Sequence, residues 1–174
     1  ITPTNNFSVQ INGEGAGRVS SGKNNLIIRA AQRLAERAGN VKGRRTGLPL
    51  PPFHAECVNQ IPLSSGMGSS SAAILSGLLT GNALLEYPFS REEILNLASE
   101  MEGHPDNVAP ALLGGLVVST VEQGKVIARK IPIEMNIHVT IALPDFYLPT
   151  KQARAALPKK ISMKQPGFWR RQEI

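Results

Sequence analysis

Residues 61–73 read I-P-L-S-S-G-M-G-S-S-S-A-A. Gly66 and Gly68 are free to take positive φ and to let a ligand approach backbone N–H groups. Ser69, Ser70 and Ser71 then open an apolar run, Ala72 to Leu85, that reads as a helix over 70–85. A helix start presents unpaired N–H donors and a partial positive charge, so an anion is welcome there. Three hydroxyls in a row add donors and a candidate magnesium ligand. One Ser is enough for a helix cap. Three Ser after Gly-x-Gly, with Pro62 fixing the entry, exceed that need. No Lys follows the last Gly, so this is not a Walker loop, and the G-x-G-x-x-G of a dinucleotide site is absent. The stretch alone leaves cap and phosphate loop both open.

A second stretch, residues 102–115, reads E-G-H-P-D-N-V-A-P-A-L-L-G-G. It is delivered by a short helix over 91–101. Ser90 and Glu93 form a capping-box pattern before Ile94, Leu97, Ala98 and Met101. That helix carries Glu100 and Glu102 to a break at Gly103. His104, Pro105, Asp106 and Asn107 make a polar turn before the apolar run Val108 to Leu113. Carboxylates, an imidazole and an amide this close together suit a hydrated Mg²⁺ and a polar substrate. An Asx-type turn with a His packed over it is the plain structural alternative.

Together the two stretches resemble the GHMP kinase superfamily and, within it, the homoserine kinases. The superfamily's phosphate loop reads P-x-x-x-G-L-G-S-S-[AS]-A. This chain offers Pro62, Gly66, Met67, Gly68, Ser69, Ser70, Ser71 and Ala72, with Met67 a change of similar volume from Leu. The run 102–115 resembles homoserine kinases rather than their mevalonate or galactose relatives. A third match is P-x-x-x-x-x-T-K-x-A-R-x-x-L-P, carried by Pro144, Thr150, Lys151, Ala153, Arg154, Leu157 and Pro158. The three motifs follow in order over 61–158.

The resemblance implies transfer of the γ-phosphoryl of ATP to the side-chain hydroxyl of L-homoserine, a step of threonine biosynthesis. It implies ATP and Mg²⁺ as cofactors. Such a transfer needs positioning and charge neutralisation more than covalent chemistry. By the resemblance, Pro62, Leu63, Ser64, Ser65, Gly66, Met67, Gly68, Ser69, Ser70 and Ser71 wrap the ATP phosphates. Ser70 and Glu102 are the implied metal ligands, with Glu100 a rival to Glu102. His104, Asn107, Thr150 and Arg154 are the implied substrate-side residues. Glu102, Ser70 and Arg154 are those expected to carry the reaction. A guanidinium at Arg154 suits the substrate carboxylate because its forked donors match two oxygens. No general base is evident; His104 is the nearest candidate. In relatives an Asn near the first helix start contacts the nucleotide base. Asn25 stands there, before the stripe Leu26, Ile27, Ala30, Ala31, Leu34, Ala35 and Ala38, and a helix cap is its other reading.

The chain has 174 residues, enough for one ordinary core. No apolar run nears the ~20 residues of a membrane span, and no signal sequence is read at the start. The lone Cys57 fits a reducing compartment, so a cytoplasmic location is expected. The three His are scattered without zinc spacing. Charge is uneven: residues 1–150 hold 12 basic and 12 acidic side chains, and 151–174 hold seven and one, so the whole net charge of +6 lies in the tail. A tail alone makes nucleic acid an unexpected partner. The expected partner is the small-molecule substrate, with no membrane, and a homodimer is compatible with the sequence.

Strands are expected at 7–11, 53–61, 116–121, 125–131 and 138–143, and a helix at 26–38. The strands at 116–121 and 125–131 form a hairpin around Gly124. Strands and helices mix without regular alternation, which argues α+β. The resemblance implies the same class: a ribosomal-protein-like two-layer sandwich over 1–143, with a left-handed β-α-β crossover, then the start of a second lobe over 144–163. The family's opening P-A-T-[ST]-A-N-L-G-x-G-F-D-like motif is unmatched in 1–22. Residues 164–174 depart from the family as an aberrant tail. The expectation is a chain shortened at both ends, with little or no turnover and exposed apolar surface. The competing readings are another GHMP kinase with a different alcohol substrate, an RNA-binding module of the same lobe fold, and a catalytically dead remnant.

Overall fold

The computed structural model describes residues 1–39, 50–134 and 137–141. Strand β1 is Thr2–Pro3, a short element the sequence did not suggest. Strand β2, Ser8–Gly13, runs parallel to β3, Phe53–Asn59, in register from Ser8 opposite His54 to Gly13 opposite Asn59. Strand β1 pairs antiparallel with the other edge of β3, so the sheet order is β1-β3-β2. Helix α1, Leu26–Gly39, lies between β2 and β3 in sequence, giving one β-α-β unit. Alternation of side chains along the sheet sends Val9, Phe53 and Ala55 into a buried cluster with Ile27, Ile28 and Ala31 of α1.

Helix α1 also serves a second cluster. Ala30, Leu34 and Ala38 pack with Ile74, Leu75 and Leu78 of helix α2, Ser69–Leu84. The two helices approach closely because α2 carries Gly77 and Gly81 on the shared side. A Cβ at Gly77 would stand 2.1 Å from the Ile27 carbonyl oxygen and 2.7 Å from Ala30 Cβ. Only a residue without a side chain permits that crossing, at an ordinary cost in helix propensity.

Helix α3, Arg91–Glu102, begins with the full reciprocal capping box. Glu93 N–H donates to Ser90 Oγ at 3.2 Å, and Ser90 N–H donates to Glu93 Oε2 at 2.8 Å. Ile94, Leu95, Leu97 and Ala98 are buried in the second cluster, with Met101 packed beside it. The helix stops at Gly103, which takes φ 91° and returns its N–H to the Ser99 carbonyl. Helix α4, Val108–Leu113, follows after one turn. Arg91 Nη2 donates to the Leu112 carbonyl at 2.7 Å, tying the start of α3 to the end of α4.

Strands β4, Leu116–Glu122, and β5, Lys125–Ile131, form a separate antiparallel pair. Gln123 and Gly124 are both at positive φ, as a two-residue hairpin of this twist needs. Val117, Val126 and Ala128 face the helical cluster, and the Val126 N–H is received by Asn96 Oδ1 at 2.7 Å. The opposite face exposes Leu116, Val118, Ile127 and Ile131.

The expected α+β class is the observed one. The expected strand 138–143 is corrected over its described part: 138–141 pairs with no strand among the described residues, although alternating Ile137, Val139 and Ile141 imitate one. All three side chains are exposed, and without a buried face the alternation has nothing to pack against. Residues 142–143 of that expectation, and the parts 144–163 and 164–174, lie outside the described residues. No helix among the described residues is long and apolar enough to cross a membrane.

Candidate functional site

The parallel strands β2 and β3 end side by side, and the chain leaves each through a tight turn. After β3 comes the loop 60–68, then α2. Ser64, Gly66 and Gly68 take φ of 56°, 75° and 81°. The non-glycine Ser64 is uncommon there. Ser65 Oγ braces the loop by donating to the Pro62 carbonyl at 2.8 Å. The helix start is the informative part. Its N-cap position is Gly68, in the left-handed region, and no side chain caps the helix. Ser69, Ser70 and Ser71 are therefore first-turn residues rather than caps. Their N–H groups make no hydrogen bond among the described residues. The site so formed is an uncapped, outward-facing helix N-terminus reached through a loop with repeated positive φ, a setting for an anion.

The second stretch folds against it. Ser70 Oγ donates to Glu102 Oε1 at 2.6 Å, joining the first turn of α2 to the last residue of α3. The rival carboxylate, Glu100, points elsewhere. Its Oε1 receives Arg33 Nη2 at 3.1 Å, and Glu100, with Glu36, holds the Arg33 guanidinium above its ordinary range. Asn107 packs on the loop: its Cβ lies 3.5 Å from where a Gly68 Cβ would stand. His104, largely buried, has its Nδ1 against Asp106 Oδ1. Pro62, Leu63, Met67, Ser70, Glu102 and Asn107 thus come from three segments to one corner of the fold. Thr150 and Arg154 lie outside the described residues.

Asn25 stands just before α1. It is 2% exposed, and both ends of its side chain are engaged. Oδ1 accepts from the Ile27 N–H at 2.9 Å, and Nδ2 donates to the Ser20 carbonyl at 2.6 Å. Of the two roles open to it, this is the geometry of a helix cap, and the side chain has little left to offer a nucleotide base. Two features of the fold have no local signal in the sequence. One is Asn59, which links both strand ends to the helix start. The other, further along α2, is the Gly77/Gly81 spacing, a small-x-x-x-small pattern that lets α1 and α2 approach closely.

The donor set fits magnesium. Ser70 has given its hydrogen to a carboxylate, so its lone pairs are free for a cation, and Glu102 adds charge. Hard oxygen ligands, few in number and next to phosphate-binding N–H groups, are what Mg²⁺ takes.

Residues 25–115 match the family model of the GHMP kinases N terminal domain. The chain is 43% identical over 159 residues to the homoserine kinase of Carboxydothermus hydrogenoformans, covering 91% of this chain and 49% of the relative. It is 41% identical over 167 residues to that of Thermosynechococcus vestitus, covering 91% of this chain and 53% of the relative. The crystal structure of homoserine kinase from Cytophaga hutchinsonii superposes with a TM-score of 0.68 at 28% identity, covering 94% of this chain and 51% of that one. The chain spans about half the length of the curated relatives it matches.

Proposed function

The chain belongs to the GHMP kinases, by way of their N-terminal domain, and on that premise we propose that it forms the ATP-binding half of a homoserine kinase. The observation that carries this reading is the Ser70–Glu102 hydrogen bond beside three helix N–H groups without a partner among the described residues. Residues 62–71 hold the phosphates through backbone N–H groups and the dipole of α2. Ser70 and Glu102 would hold Mg²⁺, which would supply neutralising charge to the nucleotide phosphates. Asn107, whose Cβ lies beside Gly68, and His104, in contact with Asp106, are the substrate-side residues of this reading. Thr150 and Arg154, outside the described residues, stay proposed as substrate-side residues on the strength of the family motif alone, a guanidinium being suited to a carboxylate. In-line placement and charge neutralisation supply the rate, and no strong base is required for a loose transition state.

The test is a phosphorus NMR time course of the chain with Mg·ATP and L-homoserine. A phosphomonoester resonance growing with ADP supports the kinase, and a panel of small alcohols separates homoserine from the substrates of other GHMP kinases. Broadened ATP resonances that sharpen in Ser70→Ala, without product, support the nucleotide site alone. Unperturbed ATP in the wild-type chain rejects both.

A further inference from the structure

The three serines that open α2 stand in three different hydrogen-bond settings. Ser70 Oγ is a donor, to Glu102 Oε1 at 2.6 Å. Ser71 is fully buried, and its Oγ has no partner among the described residues. Ser69 Oγ is an acceptor, from Asn59 Nδ2 at 3.4 Å. A hydroxyl owns one hydrogen and two lone pairs. Ser70 has spent its hydrogen and presents lone pairs, which a cation needs. Ser69 receives an amide hydrogen and keeps its own, which an anion needs. We propose that Asn59 is a positioning residue for the phosphate site. It sets the Ser69 hydroxyl as a donor toward a nucleotide phosphate oxygen and fixes the loop to the strand ends beside it. The proposal rests on the reading of 62–71 as the ATP phosphate loop.

Asn59 is built into this corner from every side. It is the last residue of β3 and stands opposite Gly13, the last residue of β2. Its Nδ2 also donates to the Glu14 carbonyl at 3.0 Å and the Ile61 carbonyl at 3.3 Å, while its Oδ1 accepts from the Ile61 N–H at 3.1 Å. Two amide hydrogens serve three oxygens, so one is shared. Its own carbonyl takes the Glu14 N–H at 2.8 Å. That approach depends on Gly13, where a Cβ would stand 2.3 Å from the Asn59 oxygen. The turn after β2 in turn touches the loop, since a Cβ at Gly15 would lie 3.2 Å from Leu63 Cδ1. One side chain therefore couples the β2 turn, the loop entry and the first residue of α2. A donor held in place before the ligand arrives loses less freedom on binding.

The experiment is calorimetric titration of the 174-residue chain with Mg·ATP, beside melting temperatures. Asn59→Ala is expected to weaken binding about tenfold, the scale of one lost hydrogen bond to a charged group. Ser69→Ala should weaken it by a similar factor. The double variant should be no weaker than the poorer single one, because both changes act through one hydroxyl. Asn59→Asp keeps the acceptor for Ile61 and loses the donors, so it should melt nearer to wild type than Asn59→Ala while binding no better. A wild-type chain that binds Mg·ATP, with Ser69→Ala unchanged or with the two losses simply adding, would overturn the role of Asn59 and leave the ATP reading standing. A wild-type chain that does not bind Mg·ATP would remove both, and so marks failure of the ATP reading itself.

Discussion

Helices α1 and α2 lie against each other, and their N-termini are finished in opposite ways. Helix α1 begins at a buried Asn whose side chain closes one orphan N–H and anchors to the Ser20 carbonyl. Helix α2 begins at a glycine with no side-chain cap, followed by three serines that leave the first N–H groups open. A capped start satisfies itself and contributes to stability. An open start forgoes that contribution and retains affinity for an anion. The same residue class, small and polar, therefore serves structure at one helix and a ligand at the other. What separates the two is where the side chain points.

The comparison can be broken most severely at the crossing that both helices share. Gly77→Ala puts a methyl into the Ile27 carbonyl, and the helices must part. About 3 kcal/mol of stability should be lost, read as a lower denaturant midpoint at unchanged slope. Asn25→Ala should cost about 2 kcal/mol by the same measurement, since it removes a cap and leaves a buried carbonyl short of a donor. Mg·ATP affinity of the folded Asn25→Ala protein should stay at the wild-type value, and a tenfold loss there would give Asn25 back its nucleotide role. Ser70→Ala is the mirror experiment. Stability should hold within about 0.5 kcal/mol because the side chain is exposed, while Mg·ATP affinity falls about tenfold. Ser90→Ala removes half of the α3 capping box, with an expected cost of about 1 kcal/mol and no change in affinity.

Patterns that are local in sequence were legible in it. The capping box of α3, the Gln123-Gly124 hairpin and the apolar stripe of α1 each specify themselves within a few residues, and each appears in the structure. The neighbourhood of Ser70 and Glu102, 32 residues apart, was legible only through family resemblance, because no local rule brings the end of one helix to the start of another. Long-range consequences of backbone approach were not legible. The seat of Asn59 depends on Gly13, and the placement of α2 depends on Gly77; a glycine in a sequence does not announce what it lets come near. The serines were ambiguous in sequence, and the backbone decides between their two readings. Their composition is that of a cap, but the left-handed Gly68 starts the helix one residue early and turns them into first-turn residues.

Helix α1 has a further consequence, for how the molecule opens. It lends Ile27, Ile28 and Ala31 to the sheet-side cluster and Ala30, Leu34 and Ala38 to the helical one. Neither cluster can lose this helix and leave the other whole. The two therefore belong to one cooperative unit, and the amides of α1 should be among the last to exchange with solvent. The loop 60–68 leads into α2, which packs on that helix through Ile74, Leu75 and Leu78, so its exit is anchored to the element expected to open last.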